Sequence, residues 1–441
     1  MKRLLLIIFI IILTQCSFDN KTGIWDNTIQ VSVKNDKRFK DFDTLYTEEK
    51  SFRKIISPDK SLKISFDPIK TVLKWPDEFY KNSNNLDNFS YKNLNEIIFK
   101  SKKLSKYKIK DKLLFDGENI IAVDSKGSIF LYSIENRKIS FKYNFYKKKY
   151  KKLEKNLNII VEKNIAYVSD DIGYLYAINY KDKRLLWAKY YKIPFRSNLK
   201  ILENKIILAD QNNTLYVINK FNGEKLKLFP TEEVVLKNDF SNSIALNNES
   251  LFYLNTYGSL YSVNKNNLNI DWFLSLNKSL ELSPGNLFYS NPIVIYKDKI
   301  IVSTDPTLYV LDSNSGFTLF QKSITSIVSP IISDKYLFII TKDNLLVCID
   351  LISGNILYSS DVNQEIANFL KTKKKSISIK SLSIVNNSLS IFLNNSYIVN
   401  FNKNGKVKNI KKLRVKLGTF PIFISNSILY LNKKNKLIIL N

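Results

Sequence analysis

The sequence predicts an all-β protein: an eight-bladed β-propeller of four-stranded antiparallel blades. Three observations carry that reading. A short strand ending in Leu-Tyr-Ala-Ile-Asn, or something close to it, recurs eight times, finishing at Ser133, Asn179, Asn219, Asn264, Asp312, Asp350, Asn402 and Asn441. The seven intervals between these anchors average 44 residues, which is the period of a propeller blade. Between anchors the chain offers apolar runs broken by Asn, Asp and Gly, the chemistry of hairpins, with no helical stretch expected. Finally, an unpaired strand candidate, Asn95 to Lys100, stands upstream of the first copy. Paired beside the terminal strand, it would complete the last blade and leave the ring without an open edge.

Taken in order, residues 1–15 read as a signal peptide. Met1-Lys2-Arg3 is positively charged, and Leu4 to Leu13 is an apolar run too short for a bilayer-spanning helix, which needs about 20 residues. Leu13-Thr14-Gln15-Cys16 follows it and is similar to a bacterial lipobox, with Gln15 departing from the small residue usual there. Cys16 is therefore the expected lipidation site, and Ser17 after it points to the outer membrane, periplasmic face. Acyl chains there would anchor the protein firmly. Residues 16–92 are expected as a lipidated N-terminus and mostly flexible linker, being rich in Lys, Asn, Asp and Ser. Ser17 to about Asp41 reads as the tether, and Phe42 to Tyr80 leaves open a short helix or strands packed against the disc.

From residue 93 to 441 the blade pattern holds. In the second copy the strands are Leu157 to Val161, Ile165 to Val168, and Gly173 to Asn179. In the fifth they are Ile293 to Ile295, Ile300 to Val302, and Leu308 to Asp312. Eight residues beyond successive anchors stand Phe141, Trp187, Lys227, Trp272, Phe320, Tyr358 and Ile410. A large flat side chain at that place suits packing between neighbouring blades. Lys227 breaks the series, and its neighbours Leu226 and Leu228 are expected to pack in its stead.

Composition removes several chemistries. The 441 residues include no histidine, which rules out His general bases, His ligands and Ser-His or Cys-His pairs. The two cysteines, Cys16 and Cys348, cannot form a metal cluster, and Cys348 lies in a buried-strand pattern. The formal net charge of +28 fits either attraction to phosphate-rich partners or a Lys-rich surface coat. The charges are scattered and rarely interleaved with aromatics, so no nucleic-acid partner is expected. The densest run, Tyr146 to Lys152, reads as a solvated loop, and Asp170-Asp171 as turn residues.

The run Tyr167-Val168-Ser169-Asp170-Asp171-Ile172-Gly173-Tyr174-Leu175-Tyr176-Ala177-Ile178-Asn179, followed by Leu185-Leu186-Trp187, resembles the repeat of quinoprotein-like (PQQ-like) propellers. Asn222-Gly223-Glu224, Ser315-Gly316-Phe317 and Ser353-Gly354-Asn355 are degraded copies of its glycine turn. With the lipobox-like start, the count of eight and Trp75-Pro76 ahead of the first blade, the chain resembles the BamB-like outer-membrane protein assembly lipoproteins over about residues 70–441. That resemblance implies a non-enzymatic docking module without cofactor or metal, a monomer within a complex, whose partner is the periplasmic part of a BamA-type outer-membrane assembly protein. Carried to matching positions, it implies partner contacts at Phe195 and Arg196, before the third blade, and at Asp239, before the fourth. The enzymes of the same repeat class imply the other reading, a periplasmic quinoprotein oxidoreductase. Trp25, Trp75, Trp187 and Trp272 are the only tryptophans, too few for the docking repeats of those enzymes, and there is no vicinal cysteine pair. An envelope polymer-binding lipoprotein is the third reading, to which the net charge would contribute.

Overall fold

The computed structural model describes residues 52–146, 150–233, 240–277 and 288–441. They form eight β-sheets, and in seven of them four strands consecutive in the chain lie antiparallel to one another. Seven blades occupy 114–144, 157–190, 200–229, 243–275, 294–322, 331–361 and 379–412. The eighth combines 422–440 with Ile97–Lys103, which pairs antiparallel to Lys436–Leu440 in the register Ile97 to Leu440 and Phe99 to Ile439. The ring thus closes with a strand from each end of the propeller. All eight sequence anchors fall at or one residue beyond the end of the third strand of their blades.

Burial follows position in the blade. The first three strands are almost wholly buried, as in Ile120 to Val123 or Leu337 to Ile340, because each is sandwiched between two neighbouring sheets. The fourth strands, at the rim, alternate: Lys138–Asn144 and Arg184–Tyr190 bury a single aromatic, Phe141 and Trp187 respectively, and expose most of the rest.

That rim aromatic is the joint between blades. A Cβ on Gly223 would lie 2.6 Å from Trp187 Cε3, one on Gly316 2.7 Å from Trp272 Cε3, and one on Gly354 2.8 Å from the Phe320 ring. Tyr358 covers Gly405 in the same way, at 2.6 Å. Each glycine belongs to the next blade and has a positive φ of 70–74°, so only glycine meets both demands. The indoles also donate across the joint, Trp187 Nε1 to Lys220 O at 3.0 Å and Trp272 Nε1 to Ser313 O at 3.2 Å. Where the glycine is replaced by Leu268 (φ 56°), the facing residue is Lys227 rather than an aromatic. Lys227 Nζ itself donates to the Leu268 carbonyl. Leu226 and Leu228, expected to pack there, are exposed instead. A slender alkyl chain leaves the room that the Leu268 side chain needs.

Two further findings depart from the sequence reading. The long interval before Asn402 contains a helix, Val362–Leu370, where only loop was expected. Asp361 caps it by accepting from Gln364 N at 3.1 Å, and Val362 and Ala367 anchor it on the sheets. More consequential is the segment read as linker. Its part from residue 52 to 92 lies against the blades, and Asn88–Phe89 adds a fifth, parallel strand to the seventh blade.

Between residues 72 and 89 this segment contacts every blade near the axis. Trp75 exchanges both backbone hydrogen bonds with Phe115 of the first blade, at 2.7 and 2.8 Å. Pro76 O accepts from Val161 N in the second at 3.0 Å, and Asp77 pairs with Lys200 in the third. Asn82 O accepts from Leu246 N at 2.9 Å and Ser83 O from Ile295 N at 2.8 Å, in the fourth and fifth. Asn85 exchanges two hydrogen bonds with Ile332 in the sixth, and Val72 O accepts from Ser425 N in the eighth. Innermost strands have a free hydrogen-bonding edge towards the axis, and this chain segment satisfies it.

Candidate functional site

The axial cavity opens on the face where the first strands of the blades begin, and the segment 75–86 forms its floor. Two adjoining lobes share Glu78, Phe79, Lys112, Pro292 and Phe420 in their walls. One, of about 290 Å³, is bounded by Trp75, Asn84, Leu86 and the fifth to eighth blades. The other, of about 340 Å³, faces the first to fifth blades.

Beneath and beside these lobes lies an ionic cluster that ties the floor to the wall. Lys200 Nζ, wholly buried, donates to Asp77 Oδ2 at 2.5 Å and to Lys81 O at 2.9 Å. Burial drives the Lys200 amine below the usual lysine range, a shift opposed by Asp77. Lys110 Nζ donates to both Glu78 oxygens (2.9 and 3.2 Å), to Leu157 O and to Asn158 Oδ1. Lys380 Nζ donates to Asp111 Oδ2 at 3.1 Å and stands 4.8 Å from the Phe420 ring centre.

Lys112 differs from these three. Its Nζ rests 2.9 Å from the centre of the Phe79 ring, and among the described residues it donates no hydrogen bond. Desolvation brings its pKa down to about 7, with Glu78 and Asp77 opposing the shift and Lys110 and Lys200 adding to it. The side chain retains some surface at the cavity wall, so it is both desolvated and reachable.

The residues singled out from the sequence fall elsewhere. Phe195 is only 1% exposed, packed edge-on against Tyr191 and Tyr216. It is a core residue and offers no contact area to a partner, because the short β-bridge to Asp210 turns it inwards. Arg196 is half-buried, its backbone held by Ala209 O (2.9 Å) on one side and Asn242 N (2.7 Å) on the other. Its charge helps to lower the pKa of Asp171, whose carboxyl is nonetheless raised by burial. Asp239, Cys16 and the lysines of 147–149 lie outside the described residues. Asp170 is a turn residue, its Oδ1 accepting from the backbone N–H groups of Ile172, Gly173 and Tyr174 at 2.8–2.9 Å. Cys348 is a buried free thiol whose pKa is raised by that burial.

The axial residues Asp77, Glu78, Asn84, Lys110, Lys112 and Lys200 escaped the sequence reading. One signal was available. Lys200 interrupts the innermost strand of its blade, where a charge needs a partner, and the nearby acidic pair sat in text taken for linker.

A closed disc of eight sheets with rim aromatics seated on glycine turns defines the class: an eight-bladed β-propeller. Comparison with known proteins narrows it. Residues 147–360 match the family model described as outer membrane protein assembly factor BamB. Among solved structures, BamB from Moraxella catarrhalis superposes with a TM-score of 0.60 at 13% identity, over 78% of this chain and 99% of that one. Quinohemoprotein alcohol dehydrogenase from Comamonas testosteroni gives 0.59 at 8% identity, over 83% and 80%. A computationally designed protein, Ika8, gives 0.57 at 12%, over 78% and 99%. No curated protein sequence matches the chain. The chain is an eight-bladed propeller that is similar to BamB in its repeats over residues 147–360 and in its fold.

The dehydrogenase neighbour makes a cofactor worth testing against the axial residues. Among the described residues no three His, Cys, Asp or Glu side chains stand together to hold a metal ion. The axial carboxylates Asp77, Glu78 and Asp111 are each engaged by a lysine. This donor set does not fit a metal-assisted quinone site. Among the described residues no helix is long and apolar enough to cross a membrane.

Proposed function

We propose that this protein is a non-enzymatic docking scaffold of the outer-membrane β-barrel assembly machinery. In this reading Cys16 carries the lipid that holds it on the periplasmic face, and its partner is the periplasmic part of a BamA-type protein. The observation that carries the reading is the match of residues 147–360 to the BamB family model. The geometry supports it: a ring closed by strands from both ends holds its rim loops rigidly, and rigid presentation lowers the entropic cost of association. Arg196 is a contact residue in this reading. Its backbone is fixed on both sides, and a guanidinium fork suits a carboxylate of the partner. Phe195 supports Arg196 from within the core.

The test is affinity capture from detergent-solubilised envelopes with wild-type protein and Arg196→Glu. Wild type is expected to recover a BamA-type barrel protein, and the variant to lose it while keeping its melting temperature. Recovery of envelope polymer alone by wild type would overturn the scaffold reading, and undiminished capture by the variant would remove Arg196 from the interface.

A further inference from the structure

The cavity above Trp75 holds three features that the docking role does not use. The first is a charge imbalance. Four ammonium groups, on Lys110, Lys112, Lys200 and Lys380, surround three carboxylates, on Asp77, Glu78 and Asp111. Three of the lysines each hold one carboxylate, leaving Lys112 as the one of the four with no ion pair of its own among the described residues. The second is an unused acceptor. Asn84 is only 4% exposed; its Nδ2 donates to Ile244 O and Ile293 O at 3.0 and 2.9 Å, and its Oδ1 has no partner among the described residues. Such a buried, unsatisfied carbonyl is destabilising unless something donates to it. Ser381 Oγ, in the same wall, is unsatisfied too. The third is the apolar character of the rest of that lobe, supplied by Trp75, Leu86, Leu113, Ile327, Val328 and Leu382.

One cation, one acceptor and a greasy wall select one kind of ligand. We propose that this lobe binds an apolar carboxylate that also carries an N–H donor, with Lys112 holding the carboxylate and Asn84 Oδ1 accepting from the N–H. A phosphate would want several donors or a guanidinium fork, and among the described residues of this lobe only one ammonium is uncommitted. A purely apolar ligand would leave both Lys112 and Asn84 without partners, the costly outcome. The volume of about 290 Å³ sits at the lower end of small-molecule sites, roughly 300–1,000 Å³. An N-acylated apolar amino acid and the C-terminal residue of an extended polypeptide share the required chemistry, and the mouth of the cavity lies open on one face of the disc. The binding step is an ion pair and a hydrogen bond, with no covalent change.

Affinity depends on the proton of Lys112. The groups facing it are Glu78 and Asp77, which hold the proton on, and Lys110 and Lys200, which push it off. Lys380, paired with Asp111, lines the same lobe. With a pKa of about 7, the amine is mostly charged at pH 6 and mostly neutral at pH 8. Carboxylate binding is therefore expected to weaken about tenfold across that range.

The experiment uses the purified full chain and reads Trp75 fluorescence and titration heat. The probes are N-acetyl-phenylalanine, its neutral amide, and a hexapeptide ending in phenylalanine with a free or an amidated C-terminus. The acids are expected to bind at least about tenfold more tightly than the amides at pH 6, since one charged hydrogen bond is worth that much or more. Lys112→Met should erase the preference, and Lys112→Arg, which keeps the charge, should retain it at pH 8 as well. Preference for the acid in the hexapeptide pair identifies a chain end as the ligand source, and preference confined to the acetyl amino acid identifies a free small molecule. Equal binding of acid and amide by wild type, or no saturable binding, would overturn the proposal even if Lys112→Met failed to fold.

Discussion

Replacing Asp77 by alanine is the most direct test of how the axial segment is held. Lys200 is 0% and Asp77 4% exposed at the side chain, and they meet at 2.5 Å. Without the carboxylate the ammonium keeps only Lys81 O as acceptor, in a place water does not reach. Breaking a buried pair from one side costs about 3–5 kcal/mol, so Asp77→Ala should lose roughly that in urea denaturation at pH 7. The loss has a built-in limit, because the amine can shed its proton. Burial already holds its folded-state pKa below the unfolded value, so the unfolded chain binds the extra proton between those two values and stability rises with pH there. The deficit of Asp77→Ala should therefore shrink between pH 7 and pH 10. Lys200→Met is expected to cost less, about 1–3 kcal/mol, since Asp77 keeps the Phe79 N–H at 2.7 Å. The double variant Asp77→Leu/Lys200→Met should return close to wild type, as apolar replacements of buried pairs do. An Asp77→Ala variant within about 0.5 kcal/mol of wild type, with no pH dependence of the difference, would refute the reasoning, because ordinary surface substitutions fall in that band.

Three further outcomes follow from the same structure. Gly316→Ala should destabilise by about 2–4 kcal/mol, the sum of a left-handed backbone cost and overpacking against Trp272, whereas Leu268→Gly at the matching turn, facing Lys227, should lack the clash term; chemical denaturation of the two compares them. Deleting 435–441 removes the strand that joins Ile97–Lys103 to Ser427–Leu431 and should sharply lower the melting temperature of the whole disc, so unchanged thermal unfolding would argue against ring closure through that strand. Lys112→Met should stabilise the fold below pH 7, where the native state bears the cost of a desolvated ammonium. With a folded-state pKa of about 7 against an ordinary 10.5, that gain, on the order of 1–3 kcal/mol after allowing for the partly hydrated wall, fades as pH rises from 7 towards 10.5; melting curves across pH 6–10 measure it.

Much of the ring was legible because its code is local. An anchor such as Tyr174–Asn179 declares a strand by a short apolar run that ends in Asn, and Gly316 a turn, from the few residues around them. The helix at Val362–Leu370 was not legible, since one short amphipathic stretch after a capping Asp361 looks like a long loop beside 44-residue spacing. The role of Lys227 was hidden for another reason: whether an aromatic fits there depends on Leu268, some forty positions away, in the next blade. The burial of Phe195 was not legible because a resemblance carries residue types across but cannot tell inward from outward orientation.

The amino-acid order by itself determined the number of blades, their strand boundaries and the strand that closes the ring, because apolar periodicity and turn chemistry act over a few residues. Only the tertiary structure decided what occupies the axis. A stretch as polar as Asp77 to Asn88 has no apolar stripe to announce burial, and it becomes part of the core only when eight innermost edges converge and offer their unpaired backbone groups to it. The same convergence puts Lys112 and Asn84 in one cavity, and no spacing in the chain foretells that meeting.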